Sequence, residues 1–403
     1  MTEALALEAQ AACAAEEPFA ALVSAIGHVD RGRRSLLARD LRAELSLDAA
    51  ATPAEASAAL REAASAAFAR GASGLLVLVA HEAASLFDRV PTQSSWLGLP
   101  RVQLFSTTRV VEAAAGERWP ASQTAPRWTL RSMVDAAWHA EAVASIRSAI
   151  SAGDIYQACL TFPLQAPAPP HLGDFFAALV ASHPVDHAAW CRVPGLEIAS
   201  LSPERFFSLR GRTLTARPMK GTRGLVGASD QQRLAAMREL SESPKDRAEN
   251  VMIVDLLRND LGRICAPGSV RVEGLWEVEE YRSVAQMTST VRGELAAGRD
   301  LWDALAALFP PGSMTGAPKI AACGVLEALE VMPRGLYGGA IGWVEPNGDA
   351  EFSVVIRTLQ SRAGHLRWDI GGGIVSDSTS AGEWAEAWAK AALLEPFVEL
   401  QHA

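Results

Sequence analysis

Residues 197–222 read EIASLSPERFFSLRGRTLTARPMKGT, and they carry the first signal for both the fold and the chemistry. The β-branched and aromatic runs Glu197–Ser200, Arg205–Leu209 and Thr213–Arg217 are separated by turn-forming residues and predict consecutive short strands. Directly after them, Lys220 stands between a rigid proline and a Gly-Thr step whose backbone N–H groups can face an anion. An amine held beside a bound carboxylate is a candidate nucleophile. A solvated surface lysine is the alternative interpretation of this stretch taken alone.

The rest of the chain alternates similar strand-like runs with long helical windows. No glycine-rich βαβ fingerprint accompanies them, so the pattern favours an α+β fold over a dinucleotide-binding fold. No internal repeat is visible. The predicted helices are Ser132–Ala152, Gln231–Glu242, Pro244–Leu257, Leu301–Phe309 and Ala381–Leu394.

The N-terminal third differs in texture from the remainder. Residues 1–70 are rich in Ala and favour helix, and Gly74–Ala80 is an apolar run that predicts a buried strand. The Ala- and Pro-containing stretch Ala113–Pro126 predicts a connecting loop. We therefore divide the chain into a divergent N-terminal region, residues 1–125, and a main region, residues 126–403, that carries the chemistry.

The composition excludes several classes of function. With 49% hydrophobic and 21% charged residues, the 403-residue chain can bury a large core. A net charge of −9 without a Lys/Arg block argues against a nucleic-acid partner. No run approaches the ~18 apolar residues of a membrane span, and Met1–Pro18 does not resemble a secretory signal, so we expect a cytoplasmic protein. The five cysteines show no CxxC or Cys/His clustering, which predicts neither a disulfide framework nor a zinc site.

The window that starts at Pro244 places a carboxylate on an apolar helix. Ser243 has the character of an N-cap, and Pro244 suits the first helical position. Glu249 follows about one and a half turns later, before a run of apolar residues that predicts burial on most sides. A carboxylate there is costly unless it is paired or bound to a metal ion. A salt bridge to Arg247 or Arg258 is the alternative.

The last predicted helix carries a second group of charges. Glu383, Glu386 and Lys390 follow at spacings of three and seven residues, so they share one helix face. A solvated Glu/Lys face is the alternative, but Trp384 and Trp388 form a neighbouring stripe that indicates close packing. Carboxylates from two helices, without Cys or His ligands, suit a hard cation such as Mg²⁺.

Glycine-rich segments predict backbone that can approach an anion. Gly371–Gly373 looks like a turn with free N–H groups, and Pro311–Lys319 combines two glycines, two hydroxyls and a lysine without the order of a Walker A loop. Gly335–Gly342 allows another close approach. Arg357 ends a strand-like run and would suit a carboxylate clamp, with a role as a salt-bridge partner as the alternative.

Six segments together resemble one known family. They are Gly153–Gln157 (GDIYQ), Ser202–Phe206 (SPERF), Lys220–Thr222 (KGT), Asp246–Asn250 (DRAEN), Gly312–Lys319 (GSMTGAPK) and Gly371–Asp377 (GGGIVSD). They resemble the chorismate-utilising enzymes, which include anthranilate synthase component I, aminodeoxychorismate synthase component I, isochorismate synthases and salicylate synthases. The resemblance runs from Ser132 to Leu394 and weakens in the N-terminal third. It implies a large, interleaved sandwich of antiparallel sheets flanked by helices.

The resemblance also implies roles for single residues. Glu249 and Glu386 would hold a Mg²⁺ ion that binds the ring carboxylate of chorismate, with Glu383 as a nearby or alternate ligand. Glu204 would be the acid that protonates the departing 4-hydroxyl group, and Lys220 would be the nucleophile. The residues implied to contact the substrate are Gln157, Gly221, Thr222, Thr315, Tyr337, Arg357, Gly371, Gly372 and Gly373.

Two positions discriminate within the family, and a third departs from its pattern. Relatives that add water at C2 look to have a lysine at the position of Gln157 in this chain. The glutamine therefore disfavours hydration. Relatives that make anthranilate look to have the motif Pro-x-Ala-Gly-Thr, with an alanine at the position of Lys220 in this chain. A lysine at that position is the mark of the aminodeoxychorismate synthases. Gln286 departs from a histidine that is frequent in the family. Glutamine can donate and accept hydrogen bonds, but it does not shuttle a proton at neutral pH.

The resemblance therefore implies amination of chorismate at C4 to 4-amino-4-deoxychorismate, a precursor for 4-aminobenzoate and folate. Lys220 would attack C2 and ammonia would then displace it by attack at C4. No glutaminase-like nucleophilic Cys is visible, so the ammonia would come from a separate glutaminase subunit. The alternatives are anthranilate synthase component I and a non-catalytic, chorismate-binding regulatory subunit. Against the latter, the chain retains Lys220, Glu204, Glu249 and Glu386 together.

Overall fold

The structure is a computed structural model. Its described part consists of two large β-sheets with helices on their outer faces. The described residues are 2–25, 34–49, 52–88, 90–92, 94–114, 119–120, 128–225, 227–281 and 284–403.

The strands of the described residues are named in chain order. The first eleven are β1 (Phe19–Val23), β2 (Ser35–Arg39), β3 (Arg42–Leu47), β4 (Gly74–Val79), β5 (Val102–Thr107), β6 (Arg109–Ala113), β7 (Trp128–Ser132), β8 (Gln157–Pro167), β9 (His187–Val193), β10 (Leu196–Ser202) and β11 (Arg205–Arg210). The others are β12 (Thr213–Ala216), β13 (Met219–Gly224), β14 (Arg271–Glu280), β15 (Val284–Glu294), β16 (Gly316–Ala317), β17 (Ala340–Val344), β18 (Ala350–Val354), β19 (Thr358–Arg362), β20 (His365–Ile374) and β21 (Val398–Gln401).

The helices of the same residues are named in the same way. They are α1 (Thr2–Ala14), α2 (Pro53–Ala69), α3 (Ala84–Phe87), α4 (Ala136–Ala152), α5 (Gly173–Ser182), α6 (Asp230–Glu242), α7 (Pro244–Gly262), α8 (Leu301–Leu308), α9 (Lys319–Leu329) and α10 (Ser380–Ala391). Among the described residues, no helix combines the length and the apolar character that are needed to cross a bilayer.

The strands form two sheets by mixing distant parts of the chain. The first sheet has the order β21-β7-β8-β20-β19-β10-β9-β1-β2-β6, with β16 added to β8. The second has the order β13-β15-β12-β11-β18-β17-β4-β5-β3, with β14 added to β15. Every pair in the described residues is antiparallel except β21 with β7. The α+β class and the interleaved antiparallel sandwich predicted from the sequence are confirmed.

The N-terminal region contributes strands to both sheets. In the first sheet, β1 lies between β9 and β2, and in the second, β4 lies between β17 and β5. The predicted loop Ala113–Pro126 falls largely outside the described residues, and the division of the chain at residue 125 stays a prediction.

Helix caps explain where several helices begin. Asp135 accepts a hydrogen bond from the backbone of Trp138, so α4 begins four residues later than the predicted window. Ser243 caps α7 as predicted. The helical interpretation of residues 1–70 was wrong in part, because β1, β2 and β3 lie there. All five residues of β1 are buried, and pairing with two neighbouring strands outweighs the helix preference of its alanines.

Three apolar layers stabilise the sandwich. Leu22, Leu76 and Ile198 share the central layer between the two sheets. The outer layer of the first sheet includes residues of α1, α5 and α10, and that of the second sheet includes residues of α2, α7 and α8. Burial of apolar surface on both faces of each sheet fixes the positions of the strand ends that carry polar side chains.

Lys319, the first residue of α9, ties this helix to α7 and α8. Its Nζ atom donates to Asp260 Oδ2 at 2.8 Å and to the backbone oxygen of Leu308 at 2.9 Å. The side chains of Lys319 and Asp260 are only 7% and 3% exposed. The sequence placed Lys319 in an anion-binding segment, and that part of the prediction is wrong because the ammonium group is already paired inside the core.

We expect Lys319→Ala to lower the free energy of unfolding by about 3–5 kcal/mol, because it leaves the Asp260 carboxylate buried without its partner. Urea unfolding followed by circular dichroism measures the change. Arg258→Ala is the control, since Arg258 pairs with Asp255 at 2.9 Å on the exposed side of α7. Loss of such a surface pair costs about 0–1 kcal/mol. Equal effects of the two substitutions would contradict the structural role of Lys319.

Candidate active site

The long antiparallel ladder between β8 and β20 forms the floor of the candidate site. Gly371–Gly373 pairs with Cys159–Thr161 in this ladder, so the predicted glycine turn is wrong and the segment is a strand. A Cβ atom on Gly371 would lie 2.1 Å from the backbone oxygen of Leu160. The glycines are therefore required for close strand packing, a constraint that depends on a partner far away in sequence.

Helix α10 packs against the same glycines. A Cβ atom on Gly372 would lie 3.2 Å from Glu383 Oε2 and 3.7 Å from Glu386 Oε1. The Nζ atom of Lys390 donates to the backbone oxygen of Gly371 at 2.7 Å and to Glu386 Oε1 at 3.0 Å. The predicted face of Glu383, Glu386 and Lys390 therefore lies over the glycine strand and is not simply solvated.

The two carboxylates of α10 have different surroundings. Glu383 is 6% exposed, and its Oε1 accepts a hydrogen bond from Ser378 at 2.6 Å. Its Oε2 is buried without a hydrogen-bond partner among the described residues. Burial raises the pKa of Glu386, but Lys390 more than offsets this, so the net pKa lies below its ordinary value. Glu386 therefore carries its charge at neutral pH, and Glu383 offers an unused oxygen.

Glu249 reaches the site from α7. This helix buries one face, which includes Asn250 and Leu257, while Val251 is 39% exposed. The expectation of burial on most sides was therefore wrong. Burial raises the pKa of Glu249, and the nearby charge of Glu386 raises it further, while Lys220 opposes both effects. The carboxylates of α7 and α10 thus act on one another across the site.

Mg²⁺ binds oxygen ligands, and the carboxylates of α7 and α10 are the oxygen ligands that this site offers. Within the described ranges, no three Asp, Glu, His or Cys side chains stand together closely enough to hold an ion by themselves. Mg²⁺ does not require this, because it keeps several waters and takes few protein carboxylates together with substrate oxygens. Mutually repelling carboxylates and the unpartnered Oε2 of Glu383 fit such an ion.

Lys220 lies on β13, at the other end of the glycine strand. A Cβ atom on Gly373 would lie 3.5 Å from Lys220 Nζ and 2.5 Å from Gln157 Nε2. Gln157 is fully buried, and neither its Oε1 nor its Nε2 has a hydrogen-bond partner among the described residues. A buried amide without partners is costly, so these atoms indicate a polar ligand beside the Lys220 amine.

The backbone after Lys220 is shaped by a glycine. The pairing of β13 with β15 shifts register between Lys220 and Thr222, and Gly221 between them has a φ of 76°. A Cβ atom on Gly221 would also lie 2.7 Å from Asp246 Oδ1 on α7. Both observations require glycine here. Thr222 is exposed, and Gln286 Nε2 lies 3.4 Å from its Oγ1.

Glu204 lies between β10 and β11, and its carboxyl interacts electrostatically with Lys220. It is 6% exposed. Burial raises the pKa of its carboxyl to about 7, although a hydrogen bond from Ser313 and the charges of Lys220 and Arg357 lower it. A carboxyl that keeps its proton near neutral pH can act as a general acid.

Arg357 and Tyr337 complete this side of the site. Arg357 has a φ of 51° and joins β18 to β19. Burial lowers its pKa, and the neighbouring Glu204 and Tyr337 raise it. No ion pair of Arg357 is found among the described residues. The role of salt-bridge partner is therefore not seen, and its role as a carboxylate clamp stays a prediction.

The short turn Gly312–Met314 and the following Thr315 form the last part of the site. Thr315 is fully buried, and its hydroxyl donates within the turn to the backbone oxygens of Pro311 and Gly312 at 3.3 and 3.4 Å. The Thr315 hydroxyl is therefore already paired inside the turn, and its role as a substrate contact stays a prediction.

The structure thus brings the Lys220 amine and the Glu383 and Glu386 carboxylates to one glycine strand, and the charges of Lys220 and Arg357 act on the Glu204 carboxyl. Cationic side chains suit an anion, and the carboxylates suit a metal ion that would bind the same anion. A family described as chorismate binding enzymes matches residues 26–396. The chain therefore belongs to the chorismate-binding enzymes.

Relatives with assigned names fall into two groups. The chain is 40% identical over 299 residues to anthranilate synthase component 1 of Streptomyces coelicolor, covering 74% of this chain and 55% of that protein. It is 38% identical over 260 residues to aminodeoxychorismate synthase component 1 of Bacillus subtilis, covering 64% of this chain and 55% of that protein. The chain spans about half the length of these curated relatives.

Solved structures share the fold. The crystal structure of anthranilate synthase component I from Streptococcus pneumoniae superposes with a TM-score of 0.70 at 27% identity, over 80% of each chain. A putative 2,3-dihydroxybenzoate-specific isochorismate synthase from Bacillus anthracis superposes with a TM-score of 0.73 at 21% identity, over 98% of this chain and 99% of that one.

The raised pKa of Glu204 has a measurable effect on stability. Its pKa is about 7 in the folded protein and 4.5 in an unperturbed glutamate, so the wild type loses stability as the pH rises from the lower value through the higher one. Glu204→Gln removes this loss. We expect the free energy of unfolding of the variant, relative to the wild type, to increase by about 3 kcal/mol between pH 4 and pH 8. Urea unfolding at several pH values measures it, and a difference that does not change with pH would contradict the prediction.

Proposed function

We propose that the chain aminates chorismate at C4 and forms 4-amino-4-deoxychorismate, the reaction of an aminodeoxychorismate synthase component I. The observation that carries the proposal is the position of the Lys220 amine next to the buried amide of Gln157, together with its electrostatic interaction with the Glu204 carboxyl, whose pKa burial raises. Relatives named aminodeoxychorismate synthase support the same assignment.

In the first step, the amine of Lys220 attacks C2 of chorismate. The two ring double bonds shift, and the bond between C4 and its hydroxyl oxygen breaks. Glu204 gives its proton to that oxygen, so water leaves and Glu204 becomes a carboxylate. The product of this step is a ring joined through C2 to the nitrogen of Lys220.

In the second step, ammonia attacks C4 and the double bonds shift back. The bond between C2 and the lysine nitrogen breaks, which releases Lys220 as an amine. The new ammonium group at C4 returns a proton to Glu204. The net reaction consumes chorismate and ammonia and yields the amino product and water, and one difficult substitution is divided into two easier ones.

The other residues of the site bind and orient the substrate. Arg357 suits a substrate carboxylate, because its guanidinium has no ion pair among the described residues and can form two parallel hydrogen bonds to a carboxylate. Gln157 offers a donor and an acceptor beside the reacting carbon. Glu249 and Glu386, with the free oxygen of Glu383, would hold Mg²⁺. When bound, the ion neutralises the ring carboxylate and favours electron flow toward it.

A separate glutaminase subunit would supply the ammonia. The relatives named component 1 support a partner subunit, since the name implies a second component. The amino product would then serve the synthesis of 4-aminobenzoate and folate.

Anthranilate synthase component I is the second candidate function. Relatives of that name support it at similar identity. It requires amination at C2 followed by loss of pyruvate, and the amine of Lys220 would then stand where ammonia has to approach. The product formed from chorismate and ammonia decides between the two functions.

We expect wild-type protein with chorismate, Mg²⁺ and excess ammonium near neutral pH to form 4-amino-4-deoxychorismate. Without ammonium, its mass should increase by that of chorismate less one water, on the peptide that contains Lys220. Lys220→Ala should lose the adduct and more than about 99% of the activity, because the nucleophile is absent. Chromatography with mass spectrometry measures both quantities.

Lys245→Ala is the matched control for this experiment. Lys245 lies 3.8 Å from Glu249 and its side chain is 64% exposed, so its removal should change the rate by less than about fivefold. Anthranilate as the wild-type product would assign the second candidate function. Turnover to the C4 amine that survives in Lys220→Ala would refute the covalent route.

The metal proposal has its own test. We expect Glu249→Gln to raise the Mg²⁺ concentration for half-maximal activity by about tenfold or more, because a neutral amide is a weaker ligand than a carboxylate. Asp255→Asn removes a carboxylate from the exposed side of the same helix, where the side chain is 74% exposed, and should leave the requirement unchanged. Equal requirements for Glu249→Gln and wild type would place the ion elsewhere.

A further inference from the structure

One arginine joins two helices to the strand that carries Lys220. Arg223 lies on β13, three residues after the lysine. Its Nε atom donates to Glu239 Oε1 on α6 at 2.9 Å, and its Nη2 atom donates to Asp246 Oδ2 on α7 at 3.0 Å. Its Nη1 atom donates to the backbone oxygen of Thr222 at 3.1 Å. The guanidinium therefore ties α6 and α7 to the backbone of β13.

The two carboxylate partners of Arg223 differ in their surroundings. The Glu239 side chain is 67% exposed, whereas that of Asp246 is 13% exposed. Asp246 also lies in the first turn of α7, where its backbone N–H donates to the cap residue Ser243 at 3.2 Å. An exposed ion pair contributes little, but a largely buried carboxylate is costly without its cation. The pair with Asp246 is therefore the one that holds α7 against β13.

The Asp246 carboxylate lies against the backbone bulge beside Lys220. A Cβ atom on Gly221 would lie 2.7 Å from Asp246 Oδ1 and 2.8 Å from Leu240 Cδ1. The ladder between β13 and β15 shifts register at this glycine, and such a bulge changes the direction of neighbouring side chains. The contact with α7 therefore supports the backbone that directs the lysine side chain.

We propose that Arg223 is a positioning residue that braces the Gly221 bulge against Asp246 and thereby holds the Lys220 amine in its direction of attack. Among the described residues, Lys220 has no ion pair. Its direction is therefore set by the backbone and not by a charged partner. This inference rests on the proposed function, in which Lys220 is the nucleophile.

The rate at which Lys220 forms its chorismate adduct, without ammonium and at saturating chorismate and Mg²⁺, tests the brace. We expect Arg223→Ala to lower this rate by about tenfold or more, because a small misplacement of a reacting group is costly. The Kd for chorismate, measured by calorimetry in the Lys220→Ala background, should change less than about threefold on adding Arg223→Ala, because the guanidinium is occupied by protein partners.

Two further variants separate the pair with Asp246 from the pair with Glu239. Glu239→Ala is the control, since it leaves the pair between Arg223 and Asp246 intact and should change the adduct rate less than about twofold. Asp246→Ala should lower the rate as Arg223→Ala does. The double variant should be no slower than the slower single variant, because the two residues act as one unit.

Hydrogen exchange of the peptide that contains residues 219–224 gives a readout without chorismate. Exchange should be faster in Arg223→Ala than in wild type and unchanged in Glu239→Ala. Unchanged exchange in Arg223→Ala, an adduct rate within twofold of wild type, or effects that multiply in the double variant would overturn the proposal. If wild type forms no adduct while exchange is still faster in Arg223→Ala, the proposed function fails and the brace between β13 and α7 stands.

Discussion

The pairing of β8 with β20 is the contact on which the rest of the site depends. It extends from His365 opposite Pro167 to Ile374 opposite Ala158, and its glycines let β8 on one side and α10 on the other approach the same backbone. Any side chain on Gly371 would collide with the oxygen of Leu160. Because β8 and β20 also belong to a large sheet with both faces covered, the spacing among the polar groups is set by the core of the protein and not by flexible loops.

The site gives up stability to keep polar groups available. Both amide atoms of Gln157 and the Oε2 of Glu383 are buried without partners among the described residues, and each such group costs on the order of 1–3 kcal/mol. Burial also raises the pKa of Glu204 to about 7. A ligand that satisfies these atoms recovers part of that energy, so binding and local stability are coupled through the same side chains.

The sequence predicted the features that depend on local spacing. The common face of Glu383, Glu386 and Lys390 followed from helical periodicity, and the cap at Ser243 followed from residue type. It failed where a distant partner decides the outcome. Glycine runs are common in turns, but Gly371–Gly373 is a strand because it pairs with β8.

Interleaving of the two sheets affects the folding of the newly synthesised chain. Strand β4 is apolar and completely buried in the folded protein, but one of its two neighbours, residues 340–344, is near the other end of the sequence. Strand β1 also pairs with a distant strand, β9, which lies near the middle of the sequence. Such long-range pairing slows folding and prolongs exposure of unpaired strands. During translation, the N-terminal strands are synthesised long before the strands that complete each sheet. Aggregation of nascent chains is therefore a greater hazard here than in a protein built from consecutive hairpins.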